Sequence, residues 1–314
     1  MRERTATPRT GIHVESHDMP MNGVLQEVHS ADDVVAGLRT VDYIADTAVG
    51  VTVHLASRLG KPILAEGPAG VGKTALAKAL SAWTGRRIIR LQCHEGLDES
   101  KALYDWDYRR QLLHVQAARF QDDAAPVIDL FDESFLLPRP LLESIRAEDD
   151  VILLVDEVDR LDAEAESLLL EVLSEFQVSV PELGTMSATK RPFVLLTSND
   201  SRDLSEALKR RCLYLPLDYP TVERERQIVR SQVSGISEQL ADEVARVVQA
   251  LRGMNLVKNP SISETVDWAR SLVLTNVDSM DADIVASGMP ILLKHRVDIA
   301  AATSRLTDTT LPHA

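Results

Sequence analysis

Cysteine, long apolar runs and surplus basic charge are all scarce in this 314-residue chain. Only two cysteines are present, Cys93 and Cys212, far apart and with no second cysteine near either. A disulfide between them is possible in principle, but the pattern reads as two reduced, half-buried thiols. His94 follows Cys93, yet no further Cys/His cluster completes a metal shell. No apolar run approaches the ~18 residues that a membrane-crossing helix needs. The opening stretch MRERTATPRTGIHVESHDMP carries charge without an apolar segment, so it is not a secretory signal. Residues 1–29 read as a disordered tail, and the protein is expected in the cytoplasm. Lys and Arg number 34 against 48 Asp and Glu, a net charge of -14. Broad electrostatic capture of nucleic acid needs the opposite balance, so no nucleic-acid partner is expected.

What is there is an ordinary globular composition, 45% hydrophobic and 26% charged, in a chain long enough for one large domain or two smaller ones. Ser30-Ala31-Asp32-Asp33 has the form of a helix cap, and a helical region follows through VDYIADTAVGVTVHLASRLG to Gly60 and Pro62. A short apolar strand, ILAE, runs straight into the glycine loop of EGPAGVGKTALAKAL. A helix follows, stopped by Gly85, and then a second strand, IIRL. Strand, glycine loop, helix, strand is the start of a parallel α/β sheet. In the interval from Gln92 to Asp150, Leu112, Leu113, Val115 and Phe120 predict a partly apolar helix, and FLLPRPLLESIRA a loop entering another. VILLV at 151–155 is a fully apolar strand ending in Asp156-Glu157-Val158-Asp159. Two extended segments around a turn at Gly184 lead to Thr197-Ser198-Asn199-Asp200, and a fifth strand, LYLPL, begins at Leu213. After Pro220 the pattern is helical only. Leu240, Val244, Val247, Val248 and Leu251 form one apolar stripe, and Ser261-Ile262-Ser263-Glu264 is a capping box. The expected fold is therefore an α/β core with a parallel five-stranded sheet over 30–219, a small all-helical domain over 220–305 and a C-terminal tail over 306–314.

Gly67-x4-Gly72-Lys73-Thr74 matches the P-loop pattern in full. Its glycines let backbone N–H groups turn toward phosphate oxygens, and the following helix adds its dipole. Gly67, Pro68, Ala69, Gly70, Val71, Gly72 and Ala75 would cradle the nucleotide, Lys73 would bridge its β- and γ-phosphates, and Thr74 would ligate Mg2+. Asp156, at the carboxyl end of a buried strand, is the expected second metal anchor. Glu157 beside it can polarise a water for attack on the γ-phosphate, which means hydrolysis. The competing reading of this pair is a helix cap. Asp159 reads as solvated or capping. Asn199 ends another strand at the same edge, where a neutral amide can orient the attacking water. Arg210 and Arg211 precede the last strand; they are either a solvated surface or a guanidinium delivered to a neighbouring subunit.

Together these motifs resemble the AAA+ ATPases, and in detail the MoxR group and its CoxD-like branch. The resemblance rests on RLQCHEGLDESKALYDWDYRRQLL, on VDEVDRLDAEAESLLLEVLSEFQVSVPELG and on LKRRCLYLPLDYP. It implies Walker A at Lys73 and Thr74, Walker B at Asp156 with Glu157 the catalytic base, and sensor 1 at Asn199. It also implies an arginine finger acting in trans at Arg211, with Arg210 the alternative. Tyr43 and Ile44 fall where the family contacts adenine, although both also suit a helix core. The interval after Gln92 would hold the helix-2 insert, and FQVSVPELG with its return a hairpin before sensor 1. At the place of the family's sensor 2 arginine this chain has Ser263, a departure that Lys258 and Arg270 do not repair by position. The resemblance implies ATP and Mg2+ as cofactors and a homo-oligomer, a hexameric ring. It further implies a partner with a von Willebrand A domain and a metalloenzyme client, in the CoxD-like branch a molybdenum hydroxylase. A nucleic-acid motor or loader and a slow regulatory nucleotide-binding scaffold are the alternative functions.

Overall fold

The structure, a computed structural model, describes Leu25 and residues 28–118 and 129–308. Ser30 caps α1 (Ala31–Arg39) by accepting the Asp33 N–H, and Asp46 caps α2 (Thr47–Leu59), which ends at Gly60 with φ 61°. The single helical region expected here is thus two helices, divided because Asp46 offers a second start. Leu25 and Val28 are both buried, and the Leu25 N–H donates to Ser57 Oγ, so the stretch read as a tail through residue 29 already joins the core at its end. Most of that stretch, residues 1–24, lies outside the described residues.

The central sheet follows with β1 (Ile63–Glu66), α3 (Lys73–Thr84) and β2 (Arg87–Gln92). An insert of α4 (Glu99–Ala102), β3 (Tyr104–Trp106), α5 (Tyr108–Ala118), β4 (Leu136–Pro138) and α6 (Pro140–Arg146) precedes β5 (Val151–Asp156). Then come α7 (Ala163–Glu175), the hairpin strands β6 (Gln177–Val180) and β7 (Gly184–Ser187), β8 (Phe193–Ser198), α8 (Glu206–Arg211) and β9 (Leu213–Pro216). Five strands form one parallel sheet in the order β2-β5-β8-β1-β9, while β3 pairs with β4 and β6 with β7, both antiparallel. Both faces are covered, so the inner strands must be apolar throughout, as VILLV and FVLL are. Alternate residues serve opposite faces: Leu153 and Val155 pack with α6 and α7, Ile152 and Leu154 with α1, α2 and α3.

Beyond β9 the chain is helical: α9 (Val222–Gln232), α10 (Glu238–Arg252), α11 (Ile262–Leu274), α12 (Ala282–Leu292) and α13 (Arg296–Asp308). The last helix runs past residue 305, where a tail was expected to begin; residues 309–314 lie outside the described part. The stripe Leu240, Val244, Val247, Val248 and Leu251 is buried in this second core. Trp268 lies there too, and a Cβ at Gly288 would come within 2.1 Å of its Nε1, so α12 approaches as closely as only glycine allows. The other tryptophans belong elsewhere: Trp83 packs against Gly37, and Trp106 sits in the insert between Tyr104 and Phe131.

The partly apolar helix expected around Leu112, Leu113 and Val115 is α5, but two of its apolar side chains face outward: Leu112 and Leu113 are 59% and 65% exposed, while Gln111 is buried and its amide donates to Leu130 O. Phe120 lies outside the described residues.

Candidate functional site: a phosphate cleft between sheet and helical domain

β1 ends at Glu66 and the chain turns sharply over the sheet edge. Gly67, Gly70 and Gly72 have φ of 154°, 82° and 96°, so the last two stand in the left-handed region that favours glycine. A Cβ at Gly67 would sit 1.8 Å from Leu217 O, so here it is close approach that demands glycine. Lys73 opens α3 and is buried. Its ammonium donates to Gly67 O at 2.6 Å and Pro68 O at 2.7 Å, folded back on the loop. Desolvation lowers its pKa, opposed by the charges of Asp159, Asp156, Glu157 and Glu66.

Asp156 is the centre of the polar network. Its Oδ1 accepts from Thr74 Oγ1 at 3.0 Å and from Thr197 Oγ1 at 2.5 Å, and its Oδ2 accepts from Arg90 Nε at 3.1 Å. A hydroxyl and a carboxylate oxygen so placed are hard oxygen ligands of the kind Mg2+ takes, so these residues fit that ion. Glu157 follows with φ 59°, an unusual conformation for a non-glycine residue, and its N–H donates to Thr197 Oγ1 at 2.9 Å. Its carboxylate pairs with Arg160 Nε at 2.9 Å. Thr197 on β8 therefore fastens both Asp156, the last residue of β5, and Glu157 just beyond it.

Asn199 lies one residue beyond β8, on the same cleft of about 410 Å³ as Gly70, Lys73, Thr74, Asp156 and Glu157. The expected phosphate and carboxylate residues are thus brought together. Tyr43 and Ile44 line an adjoining pocket with Val71, Ala75, Ile228 and Ile262. Arg224 holds its edge, donating to Ile44 O at 3.1 Å and pairing with Asp46 at 2.6 Å. An apolar slot edged by backbone suits a flat heteroaromatic base. The Tyr43 hydroxyl is pushed up to about 12, chiefly by burial.

Arg210 and Arg211 are not brought to this cleft. Arg211 donates instead to Ser174 Oγ at 2.6 Å and Ala207 O at 2.9 Å, while Arg210 is exposed. From the helical domain Ile262, Ser263 and Gln232 reach the cleft; Lys258 and Arg270 do not. The capping box at Ser261 and Glu264 is formed in full.

Asp159 departs from its reading as a solvated or capping residue. It is 3% exposed and accepts from the Ser201 N–H at 3.1 Å and from the Ser201 hydroxyl. Burial raises its pKa, but these bonds and one from the Asn199 N–H outweigh it and hold the carboxyl below its ordinary value. Asp159 thereby anchors the loop that carries Asn199. Sequence reasoning also passed over Arg90, Thr197 and Arg160. Arg90 was hidden inside an apolar strand, and only the register of β2 with β5 brings it to Asp156. Thr197 carried one signal, a hydroxyl residue ending a buried strand two places before Asn199.

Residues 63–215 match a family model described as AAA, the ATPase family associated with various cellular activities. An uncharacterised protein of Staphylococcus epidermidis is 25% identical over 260 residues, covering 81% of this chain and 89% of that one. Chaperone MoxR1 of Mycobacterium tuberculosis is 24% identical over 255 residues, covering 78% of this chain and 59% of its own length. Among solved structures, the RuvB Holliday junction branch migration motor of Thermotoga maritima covers 85% of this chain and 73% of its own, with TM-score 0.47 and 19% identity. The P-loop, its strand-end acids and the five-stranded order fall within the matched span, so this chain carries an AAA ATPase domain.

Proposed function

We propose that the protein hydrolyses ATP and spends the energy on remodelling another protein, as a MoxR-type ring chaperone. The observation that carries the hydrolytic reading is the convergence of Lys73, Glu157 and Asn199 on one cleft. Gly67 to Ala75 bind the phosphates, and Tyr43 and Ile44 take the adenine. Lys73 leaves the Gly67 and Pro68 carbonyls to reach the β- and γ-phosphates. Glu157, freed from Arg160, accepts a proton from water as its oxygen bonds to the γ-phosphorus. The bond from that phosphorus to the ADP oxygen breaks, and ADP and phosphate leave. Asn199 orients the water, and Arg211 of a neighbouring subunit stabilises the charge of the transition state. Thr74 and Asp156 would hold Mg2+, which when bound supplies neutralisation of phosphate charge.

The choice of a protein client rests on two supports. The relative named as a chaperone spans 78% of this chain, and the net charge of -14 disfavours nucleic acid. A hexameric ring, a von Willebrand A domain partner and a metalloenzyme client, of the molybdenum hydroxylase kind, complete this reading. A cytoplasmic setting belongs to it as well. The alternative is a nucleic-acid motor, since a protein named as the RuvB branch migration subunit is 26% identical over 149 residues.

The test is ATP-dependent capture. Glu157→Gln should bind ATP without turning it over and hold its partners. Isolated from its own cells with ATP, but not with ADP, it should retain a von Willebrand A domain protein and a metalloenzyme subunit. Recovery of nucleic acid with replication proteins would replace this reading by the motor.

A further inference from the structure

Four consecutive carbonyls of the P-loop are each met by a donor, and the donors come from two sources. Gly67 O and Pro68 O accept from Lys73, at 2.6 and 2.7 Å. Ala69 O accepts from the Tyr219 hydroxyl at 3.3 Å, and Gly70 O from the Ile262 N–H at 3.1 Å. The second pair of donors belongs to the joint between core and helical domain and to the first residue of α11. Contact there is tight: a Cβ at Gly70 would lie 2.2 Å from the Ser261 Cβ.

Both donors are arranged by one side chain. Arg252, the last residue of α10, is 4% exposed and pairs with Glu225, itself 2% exposed, through two hydrogen bonds of 2.7 and 3.1 Å. Its guanidinium lies 4.5 Å from the centre of the Tyr219 ring, and its Nε donates to Pro260 O at 3.0 Å. The planar fork therefore fixes the ring that carries one donor and the turn, Pro260 to Ile262, that carries the other.

A trans peptide unit is planar, so its C=O and the following N–H point in opposite directions. All peptide bonds described here are trans. Holding Ala69 O and Gly70 O toward the helical domain therefore turns the N–H groups of Gly70 and Val71 the other way, into the loop's concave side. Those are the groups on which a P-loop relies to bind phosphate oxygens. No arginine of the helical domain lines the phosphate cleft among the described residues, Arg224 standing at the base pocket; the domain touches the loop's backbone instead.

We propose that Arg252 is a positioning residue for nucleotide binding, which holds Tyr219 and Ile262 against the Ala69 and Gly70 carbonyls and so aims the P-loop N–H groups at the phosphates. The inference rests on the reading of this loop as a phosphate cradle. Motion of the helical domain then loosens the cradle from behind, with no charged side chain of that domain entering the phosphate cleft. Charge plays no part in that step. What is transmitted is the orientation of two peptide units.

The test compares ligands with and without phosphate on the intact protein: ATP, ADP and adenosine, by calorimetry. Tyr219→Phe keeps the ring under Arg252 and removes only the hydroxyl. Ile262→Pro removes the N–H at a first helical position where proline is accommodated, and Ile262→Ala controls for the lost side chain. Truncating Arg252 alone would strand the Glu225 charge, so the paired change Arg252→Met with Glu225→Met replaces the buried ion pair by apolar packing. Expected is a loss of ATP and ADP affinity of roughly three- to tenfold for each hydrogen bond removed. Adenosine affinity should be unchanged in Tyr219→Phe and in the Met pair, and the same for Ile262→Pro as for Ile262→Ala. A general loosening of the helical domain would weaken adenosine equally, because that domain lines the base pocket. Parallel loss of all three ligands, or no loss of any, overturns the proposal. If the unaltered protein binds ATP no better than adenosine, the phosphate-cradle reading itself fails, and the inference with it.

Discussion

The two halves of the nucleotide cleft are held by opposite means. On the sheet side, side chains converge: Asp156 gathers Thr74, Thr197 and Arg90, and Asp159 gathers the Asn199–Ser201 loop. On the helical side the contact is made to backbone, with the Ile262 N–H and the Tyr219 hydroxyl on P-loop carbonyls and a buried ion pair, Arg252 with Glu225, set behind them. The sheet side is thus specialised for chemistry and tolerates little change in charge. The helical side is specialised for placement, and its buried charges act by holding groups in position. The difference shows how the phosphate end of a cleft can be closed by a domain whose Arg224 stands at the base pocket instead.

Four predictions would break or sharpen this contrast. The largest effect belongs to the sheet side. Glu157→Gln should lower kcat on the order of 10²- to 10⁴-fold while ATP affinity is kept, as steady-state hydrolysis and equilibrium binding would show. Equal loss of both would mean that Glu157 holds the loop rather than a proton. Next comes the helical side. Arg252→Ala leaves Glu225 buried without its partner and should cost about 3–5 kcal/mol by thermal or urea unfolding. The paired methionine variant should lose far less, and if it loses as much, the charge itself is required.

Asp159→Asn should destabilise by about 1–3 kcal/mol at pH 7, because a buried carboxylate acceptor is lost. The folded-state pKa of Asp159 lies below its unfolded value, so its contribution is present above the unfolded pKa, about 3.9, and is lost as pH falls through the folded value. Unfolding curves of the two proteins should therefore converge below about pH 4. A constant gap would remove the ionised form from the account. The smallest effect concerns the cysteines, both free and both pushed up to about 12, mainly by burial. Neither should react readily with a thiol reagent at pH 8 until the chain is unfolded. Rapid labelling of Cys93, which lies beneath Asp156 and donates its N–H to Asp156 O, would mean that this side opens more easily than its hydrogen bonds imply.

Much of this was legible in the sequence, and for a physical reason. A glycine loop after a strand, two acids after VILLV and an amide after FVLLTS are local patterns, and each strand carries its own functional end with it. The stripe of α10 was legible in the same way, since helical period alone decides which of its residues are buried. The rest depends on what lies across the sheet or across the joint. Arg90 meets Asp156 only through strand register. Asp159 is buried only because the loop after β8 folds over it. Tyr219 and Arg252 are 33 positions apart, and nothing local to either announces that one rests on the other. The helix of α5 was legible, but not which side of it is covered: the insert packs with Trp106 and Phe135 inward and leaves Leu112 and Leu113 exposed.

The distribution of the tryptophans has a spectroscopic consequence. Trp83, Trp106 and Trp268 sit in the nucleotide-side layer, the insert and the helical domain, one apiece. Three variants, each retaining a single indole, would give three separate fluorescence channels from one chain. Trp268, sealed under Gly288 in an apolar core, should emit furthest to the blue and stay dark to aqueous quenchers. Its signal would follow the helical domain alone, while that of Trp83 follows the layer behind the phosphate loop. Recorded together after rapid mixing with nucleotide, they would time-order the responses of the two domains without any added dye.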